Sequence, residues 1–468
     1  MNKYSLSLLV VIFSTASLYS AKSYAENFYE VVDLGKFEEG SSGVFAYDII
    51  DNQTIVGYST IDQTTGLSRG FSFNEGDVNL TDLGAIDNTE VLVEITNTVG
   101  GDEQTTIENV GTDSLDPPTP TSSFIFSLDD NTAVGYSLKI FGSVNSSTNA
   151  DTGIVTERAV GTAIERAIYI NLSNQQISEI PDFIDGTPTN MRALSINNNY
   201  IVGTGKFNEP GDDTETSFDR GFIYEISSGE LLKINPLNNV LTHFVTLRDI
   251  DATGFAVGIS AEKIRGVIFN RKVVGVDLSS PEDVVEYTIF GTTSQEVSAI
   301  NNMKKIVGRA IHANGKYRTA YLYDINTNVS LDLGVLNTNF PSSEAYDIND
   351  SDQIVGISQI KNKPAEYSGF IYENGEMKNL TELIGCDTGW RIHEARSINN
   401  NGFITGTGFF NGEARAFMLR PLAGTAPICE DKSLNLDGGG SPSLISLFTL
   451  FGLLGLRRRY LILNSSNK

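Results

Sequence analysis

Ala345–Ser358 reads AYDINDSDQIVGIS, and nearly the same string returns through the chain. Ala46 opens AYDIIDNQTIVGYS, Ala193 opens ALSINNNYIVGTG, Val297 opens VSAINNMKKIVGRA, and Ala395 opens ARSINNNGFITGTG. Aligning on the glycine that follows the apolar pair gives Gly57, Gly135, Gly203, Gly258, Gly308, Gly356 and Gly406. The last four are spaced by 50, 48 and 50 residues, and the earlier gaps of 78, 68 and 55 contain insertions. Self-similarity at this length marks a repeat architecture, and four-stranded propeller blades fall in this range.

Each unit has one grammar. A short alternating run, Ala345-Tyr346-Asp347-Ile348, meets a polar turn, Asn349-Asp350-Ser351-Asp352, of residues that tolerate the left-handed conformations of tight hairpins. A β-branched strand follows (Ile354-Val355-Gly356). A third strand reads like RGFSF at Arg69–Phe73, RGFIY at Arg220–Tyr224 or RAFML at Arg415–Leu419. A fourth ends in Asp-Leu-Gly, as at Leu80–Gly84 and Ser330–Gly334. No comparably long segment has helical periodicity.

The seventh repeat lacks its fourth strand, while Phe28–Gly35 (FYEVVDLG) is a fourth-strand ending with no strands before it. In a ring the N-terminal strand completes the last blade and removes the exposed edge. The expected fold is therefore all-β: a seven-bladed β-propeller of four-stranded antiparallel blades, closed by the N-terminal strand. Insertions at 87–122, 142–162 and 209–219 decorate neighbouring blades. The first is acidic and Pro-rich and reads as a long loop. Loops on a rigid frame often carry binding, and drift in length explains them equally well.

The formal net charge of the 468-residue chain is −25. Without the end segments that hold Lys3, Lys22, Arg457, Arg458, Arg459 and Lys468, 27 basic residues face 58 acidic ones, a net −31. Such a surface repels nucleic acid and anionic membranes. Residues 1–25 read as a signal peptide: Lys3, an apolar stretch from Leu6 to Ala21, and small residues at Ser23–Ala25 before a cut at Glu26. The propeller then spans 26–422, a linker 423–440, and a C-terminal tail 441–468. That tail follows Gly438, Gly439 and Gly440 and has an apolar run from Leu444 to Leu456, then Arg457, Arg458 and Arg459, which hold that end in the cytoplasm. The two cysteines, Cys386 and Cys429, are disulfide candidates in an exported chain, with two separate buried thiols as the alternative.

The Gly-rich stretch, apolar run and Arg cluster resemble the GlyGly-type C-terminal sorting signals of Gram-negative bacteria. That resemblance implies a rhomboid-type sorting protease and secretion machinery as partners, and a body released or displayed at the cell surface after a transient inner-membrane C-terminal anchor. The repeats themselves resemble the HAF-type extracellular repeat family and an allied family of exported gammaproteobacterial proteins, from Phe28 to about Leu422. The histidine typical of the third strand in that family is absent. Arg69, Arg166, Arg220, Arg265 and Arg415 stand near its place, with Arg318 one step away. No activity comes with either resemblance.

Little in the sequence carries chemistry. The arginines repeat in blade after blade, which favours bridging between blades over an axial anion site. Asp347, Asn349, Asp350 and Asp352 offer oxygen ligands at calcium-like spacing, without the Gly and downstream Glu of an EF-hand loop; a β-turn explains them. His393 in IHEAR lacks the second His of a zinc-protease helix. Trp390 is either a core residue or a sugar-stacking platform. There is no nucleophile elbow, C-x-x-C pair or phosphate loop. The expectation is an exported monomer, not an enzyme, that binds a glycan or protein. The alternative is a secreted hydrolase or lyase acting on a polysaccharide or ester, with carboxylates gathered from different blades at the centre of the ring.

Overall fold

The computed structural model describes residues 28–423 apart from short stretches, the longest being 111–121 and 208–217. The chain forms seven antiparallel sheets arranged as a seven-bladed propeller. The first strand of each blade is innermost, and successive first strands approach one another around the full circle. Blades 1 to 7 start with Ser42–Ile49, Ser123–Asp129, Met191–Asn197, His243–Ile250, Gln295–Ile300, Ser343–Ile348 and Trp390–Ile398.

Phe28–Asp33 is the outer strand of blade 7. It pairs antiparallel with Glu413–Leu422, from Phe28 opposite Leu422 to Asp33 opposite Phe417. The Asp-Leu-Gly endings have one local cause. The Asp carboxylate accepts the Gly amide (Asp33 to Gly35 2.9 Å, Asp82 to Gly84 2.7 Å, Asp332 to Gly334 2.9 Å). The Gly takes a left-handed φ of +82°, +72° or +81°, which costs it little. The Leu between them is buried.

The opening motif explains how blades lock together. In blade 6, Asn349 Oδ1 accepts the amides of Ser351 and Gln353, closing its own turn, while Nδ2 donates to the carbonyl of Asn399 in blade 7. Asn301 makes the same bond from blade 5 to blade 6, and Asn399 from blade 7 to Ile50 of blade 1. One residue on, a second girdle runs in the same sense. The amides of Ala252, Asn302, Asp350 and Asn400 donate to the side chains of Asn302, Asp350, Asn400 and Asp51. The seam between blades 7 and 1 is thus bonded like those between blades 5 and 6 and between blades 6 and 7.

Two features differ from the sequence reading. Residues 87–122 are not simply a loop: Val91–Val99 and Asp102–Val110 form a hairpin that joins the extended second strand of blade 2, Thr132–Thr148, through a short parallel contact at Gly142. Alternating Val91, Val93 and Ile95 carry the strand pattern that the acidic, Pro-rich composition hid. The expected inner-membrane anchor is also corrected. Among the described residues no helix is long and apolar enough to cross a membrane. The run Leu444–Leu456, which lies outside the described residues with the rest of the tail, Gly438–Gly440 and Arg457–Arg459 included, would reach about 20 Å as a helix against about 30 Å of hydrocarbon. The signal segment 1–25 also lies outside the described residues.

Cys386 is disulfide-bonded. The chain's other cysteine, Cys429, lies outside the described residues.

Candidate functional site

All seven first strands carry a β-bulge at one place. The register against the second strand slips between Ala46 and Asp48, Ile125 and Ser127, Ala193 and Ser195, Leu247 and Asp249, Val297 and Ala299, Ala345 and Asp347, and Ala395 and Ser397. The motif glycine stands opposite. A Cβ on Gly356 would sit 2.1 Å from the carbonyl oxygen of Glu344, and the six equivalent glycines are as tight, at 1.9–2.2 Å. The glycine therefore exists to admit the bulge. A bulge re-aims one side chain per blade, here Tyr47, Phe126, Leu194, Arg248, Ser298, Tyr346 and Arg396. All seven line one cavity of about 370 Å³ on the propeller axis.

This axial funnel is not symmetric. Blades 1 and 2 supply an aromatic wall: Tyr47 lies 5.5 Å from Tyr58 and 5.2 Å from Phe126, Tyr58 lies 4.9 Å from Phe124, and Phe124 stacks on Tyr136 at 4.7 Å between ring centres. Burial pushes the Tyr136 hydroxyl up to about 12, so it stays protonated at neutral pH. Blades 3 to 7 supply charge. Arg309, on the second strand of blade 5, bridges Glu344 at 2.7 Å and Glu296 at 2.9 Å. Burial raises the pKa of Glu344 against the pull of Arg309, and Glu296 adds to the rise. Arg396 pairs with Glu394 at 2.8 Å and lies over the rings of Tyr346 and Tyr47, 4.3 and 5.3 Å from their centres.

A second cavity of about 460 Å³ lies at the other end of the axis, among the first turns of the blades. Asp48 and Asp347 line it, and Asp249 holds the equivalent place on blade 4. Each carboxylate caps a backbone amide of the following blade: Leu128, Ile300 and Ile398, at 2.8–2.9 Å. Burial is the main reason their pKa values rise, Asp48 to about 6 and Asp249 to about 7.

The calcium-spaced residues are taken up in these seams. Asp347 holds Ser397 and Ile398, Asn349 its own turn, Asp350 the amide and side chain of Asn302, and Asp352 pairs with Lys305. Among the described residues no group of three or more His, Cys, Asp or Glu is gathered as metal ligands. Of the repeated third-strand arginines, Arg220 is fully buried and donates to the carbonyl of His243 in blade 4 at 2.9 Å. Arg166 binds Glu179 and Asp182, and Arg415 binds Asp33 and Glu413. Arg69 and Arg318 lie on third strands away from the funnel lining, and Arg265 lies outside the described residues. His393 packs edge-on to Tyr367 and Phe409, and Trp390 against Phe410 and Phe417.

The sequence reading missed the funnel arginines Arg192, Arg248 and Arg396. Their signal was present. They occupy first-strand positions where sister repeats carry Phe, Tyr, Leu, Ser, Thr or Glu, so they are departures from the repeat.

The funnel lies on the side of the bulges toward the beginnings of the first strands. From that end of each blade the chain also passes from second to third strand and on to the next blade. The insertions at 87–122, 142–162 and 209–219 therefore all depart from the funnel's own rim, on blades 2 and 3.

The geometry defines a propeller with an axial site. Residues 335–447 match a family model described as a protein of unknown function (DUF3466). No curated protein matches the chain. An oligogalacturonate lyase from Vibrio parahaemolyticus is similar in structure, 10% identical over 84% of this chain and 98% of that one, with a TM-score of 0.42. The acylaminoacyl peptidase of Pyrococcus horikoshii is 15% identical over 64% of this chain and 46% of its own, at 0.38. TolB from Acinetobacter baumannii is 11% identical over 66% and 82%, at 0.32. The expectation of a chain that is not an enzyme is corrected at this point. The similar solved structures are predominantly catalytic proteins, lyases and peptidases. A site assembled from seven distant segments leaves no linear motif, so the lack of one was no ground for that expectation.

Proposed function

We propose that the propeller is a hydrolase or lyase that takes a saccharide into its axial funnel. The observation that carries this reading is the make-up of the funnel lining, in which the aromatic side chains Tyr47, Phe126 and Tyr346 stand with the charged groups Glu296, Glu344, Arg248 and Arg396. Aromatic faces offer flat apolar platforms for sugar rings, and a few convergent polar groups fix orientation. Glu344 and Glu296, tied by Arg309, supply two carboxylates in unlike surroundings, one raised toward the acid form. That pairing is what acid–base cleavage of a glycosidic linkage or an elimination needs. The described strands that lead into the insertions of blades 2 and 3 end on the funnel side, which supports the reading.

The test is incubation with a panel of neutral and acidic polysaccharides. New reducing ends report hydrolysis, and ultraviolet absorbance of an unsaturated product reports elimination. One class is expected to turn over. Glu344→Gln should lower that rate about a hundredfold or more while leaving the thermal midpoint in place. Binding across the panel with no turnover would overturn the catalytic reading.

A further inference from the structure

Arg248 is the one funnel group whose charge the described protein leaves unanswered. The bulge between Leu247 and Asp249 turns its side chain to the axis. The other cations nearby are engaged: Arg192 with Glu165, Arg309 with Glu296 and Glu344, and Arg396 with Glu394. Arg271 stands 3.6 Å from Glu296. Arg248 makes no hydrogen bond or ion pair with any described residue. It is open to the water of the funnel, yet protein rings it on every side. Glu296 and Glu344 attract it at longer range and Arg192 and Arg309 repel it. Its surroundings lower its pKa, desolvation by the surrounding protein being the main cause.

A cation on the axis with no protein partner, reached by the water of the funnel, is free to pair with an anion that a ligand brings. A guanidinium presents two parallel N–H donors that match a planar carboxylate. Blade 4 stands across the axis from blade 1, so a ring stacked on Tyr47 would direct a substituent toward Arg248.

We propose that Arg248 is a carboxylate-reading residue and that the funnel's substrate is an acidic saccharide of the uronate class. This rests on the reading that the funnel takes a saccharide. It also fits the charge of the chain. A protein of net charge −25 repels anions at large, so an acidic ligand needs a local cation to hold it.

The test compares an oligoglucuronate with the same oligomer after reduction of its carboxylates to neutral alcohols, by calorimetry on the full chain. The acidic form is expected to bind about tenfold or more tightly. Arg248→Gln should bring it to the level of the neutral form without changing neutral binding. Arg248→Lys should restore part of the difference. The thermal midpoint of the Gln variant should equal or exceed that of the parent, since an unpaired charge is removed. Equal binding of the two oligomers by the parent overturns the carboxylate assignment and leaves the saccharide reading standing. Binding of neither overturns both. A Gln variant that keeps the full preference for the acidic form assigns the reading to another residue and overturns the role of Arg248.

Discussion

Replacing Asp48 with asparagine tests the physics of the seam where blades 7, 1 and 2 meet. Ser397 Oγ stands 2.9 Å from Asp48 Oδ1 and 2.7 Å from Asp347 Oδ2. A hydroxyl has one proton to donate, so it serves one carboxylate, and the second contact needs a proton from the other acid. Burial raises Asp48 to about 6, the charge of Asp347 adds to the rise, and the donors Leu128, Ser397 and Ser127 hold it back. The folded pKa lies above the ordinary value of 3.8. The folded state therefore binds this proton more tightly than the unfolded chain. The stability it brings is complete below pH 4 and is lost as pH rises through about 6. Two units at about 1.4 kcal/mol each amount to about 3 kcal/mol. An Asn at position 48 keeps an oxygen for Leu128 and Ser127. It also supplies an N–H to Ser397 Oγ, whose own proton is then free for Asp347, while the Ile49 amide, which donates to Asp48 Oδ1 at 2.8 Å, loses that acceptor. Asp48→Asn should therefore cost about 1 kcal/mol at pH 4, for the Ile49 bond, and be stabilising by about 2 kcal/mol at pH 8, a shift of a few degrees in thermal midpoint. Denaturation followed at intervals from pH 4 to 8 reads both the gain and the flattened slope. A residual fall should remain from Asp249, which burial lifts to about 7. Equal destabilisation by the variant at both ends of the range would refute the shared-proton reasoning.

Two further outcomes follow from the closure. A chain beginning at Lys36 loses the outer strand of blade 7 with buried Tyr29 and Leu34; at about 2–3 kcal/mol for each side chain it should lose about 5 kcal/mol, and an unchanged melting temperature would show that the ring does not need that strand. A bond from Cys386 to Cys429 would enclose a loop of about 43 residues, worth about 4 kcal/mol in chain entropy; denatured, unreduced protein should show no free thiol on titration, and reduction should lower the midpoint without changing the fold.

The architecture was readable in the sequence because its causes repeat. The Asn of the turn, the glycine opposite the bulge and the Asp-Leu-Gly ending each answer a local demand that recurs in blade after blade, so the same letters return at nearly fixed spacing. The displaced copy at Phe28–Gly35 exposed the ring closure. The hairpin at Val91–Val110 was hidden because it occurs once, within a segment whose composition suggested a loop. The bulge was hidden for a subtler reason. Its signature is the invariance of glycine, and a strand glycine alone does not tell which neighbour comes close. Nor could the turn carboxylates be separated from calcium ligands until Asp350 met Asn302 and Asp352 met Lys305 from the blade before.

The site lies where the repeat stops repeating. The bulge position is the one place on each first strand where backbone geometry is held fixed by the glycine opposite while the side chain faces only the axis. Packing between blades makes little demand on it, so its identity is free to vary. The residues there run Tyr, Phe, Leu, Arg, Ser, Tyr, Arg around the ring. Repetition of arginine on the third strands turned out to mean structure, as Arg220 with its bond to His243 shows. Arg248 appears where five of the seven blades have an aliphatic, aromatic or small neutral side chain and forms no bond to the described protein. In a ring built from near-copies, conformity at a position marks the frame, and an unpaired departure from it on the axis marks the place where something else must supply the partner.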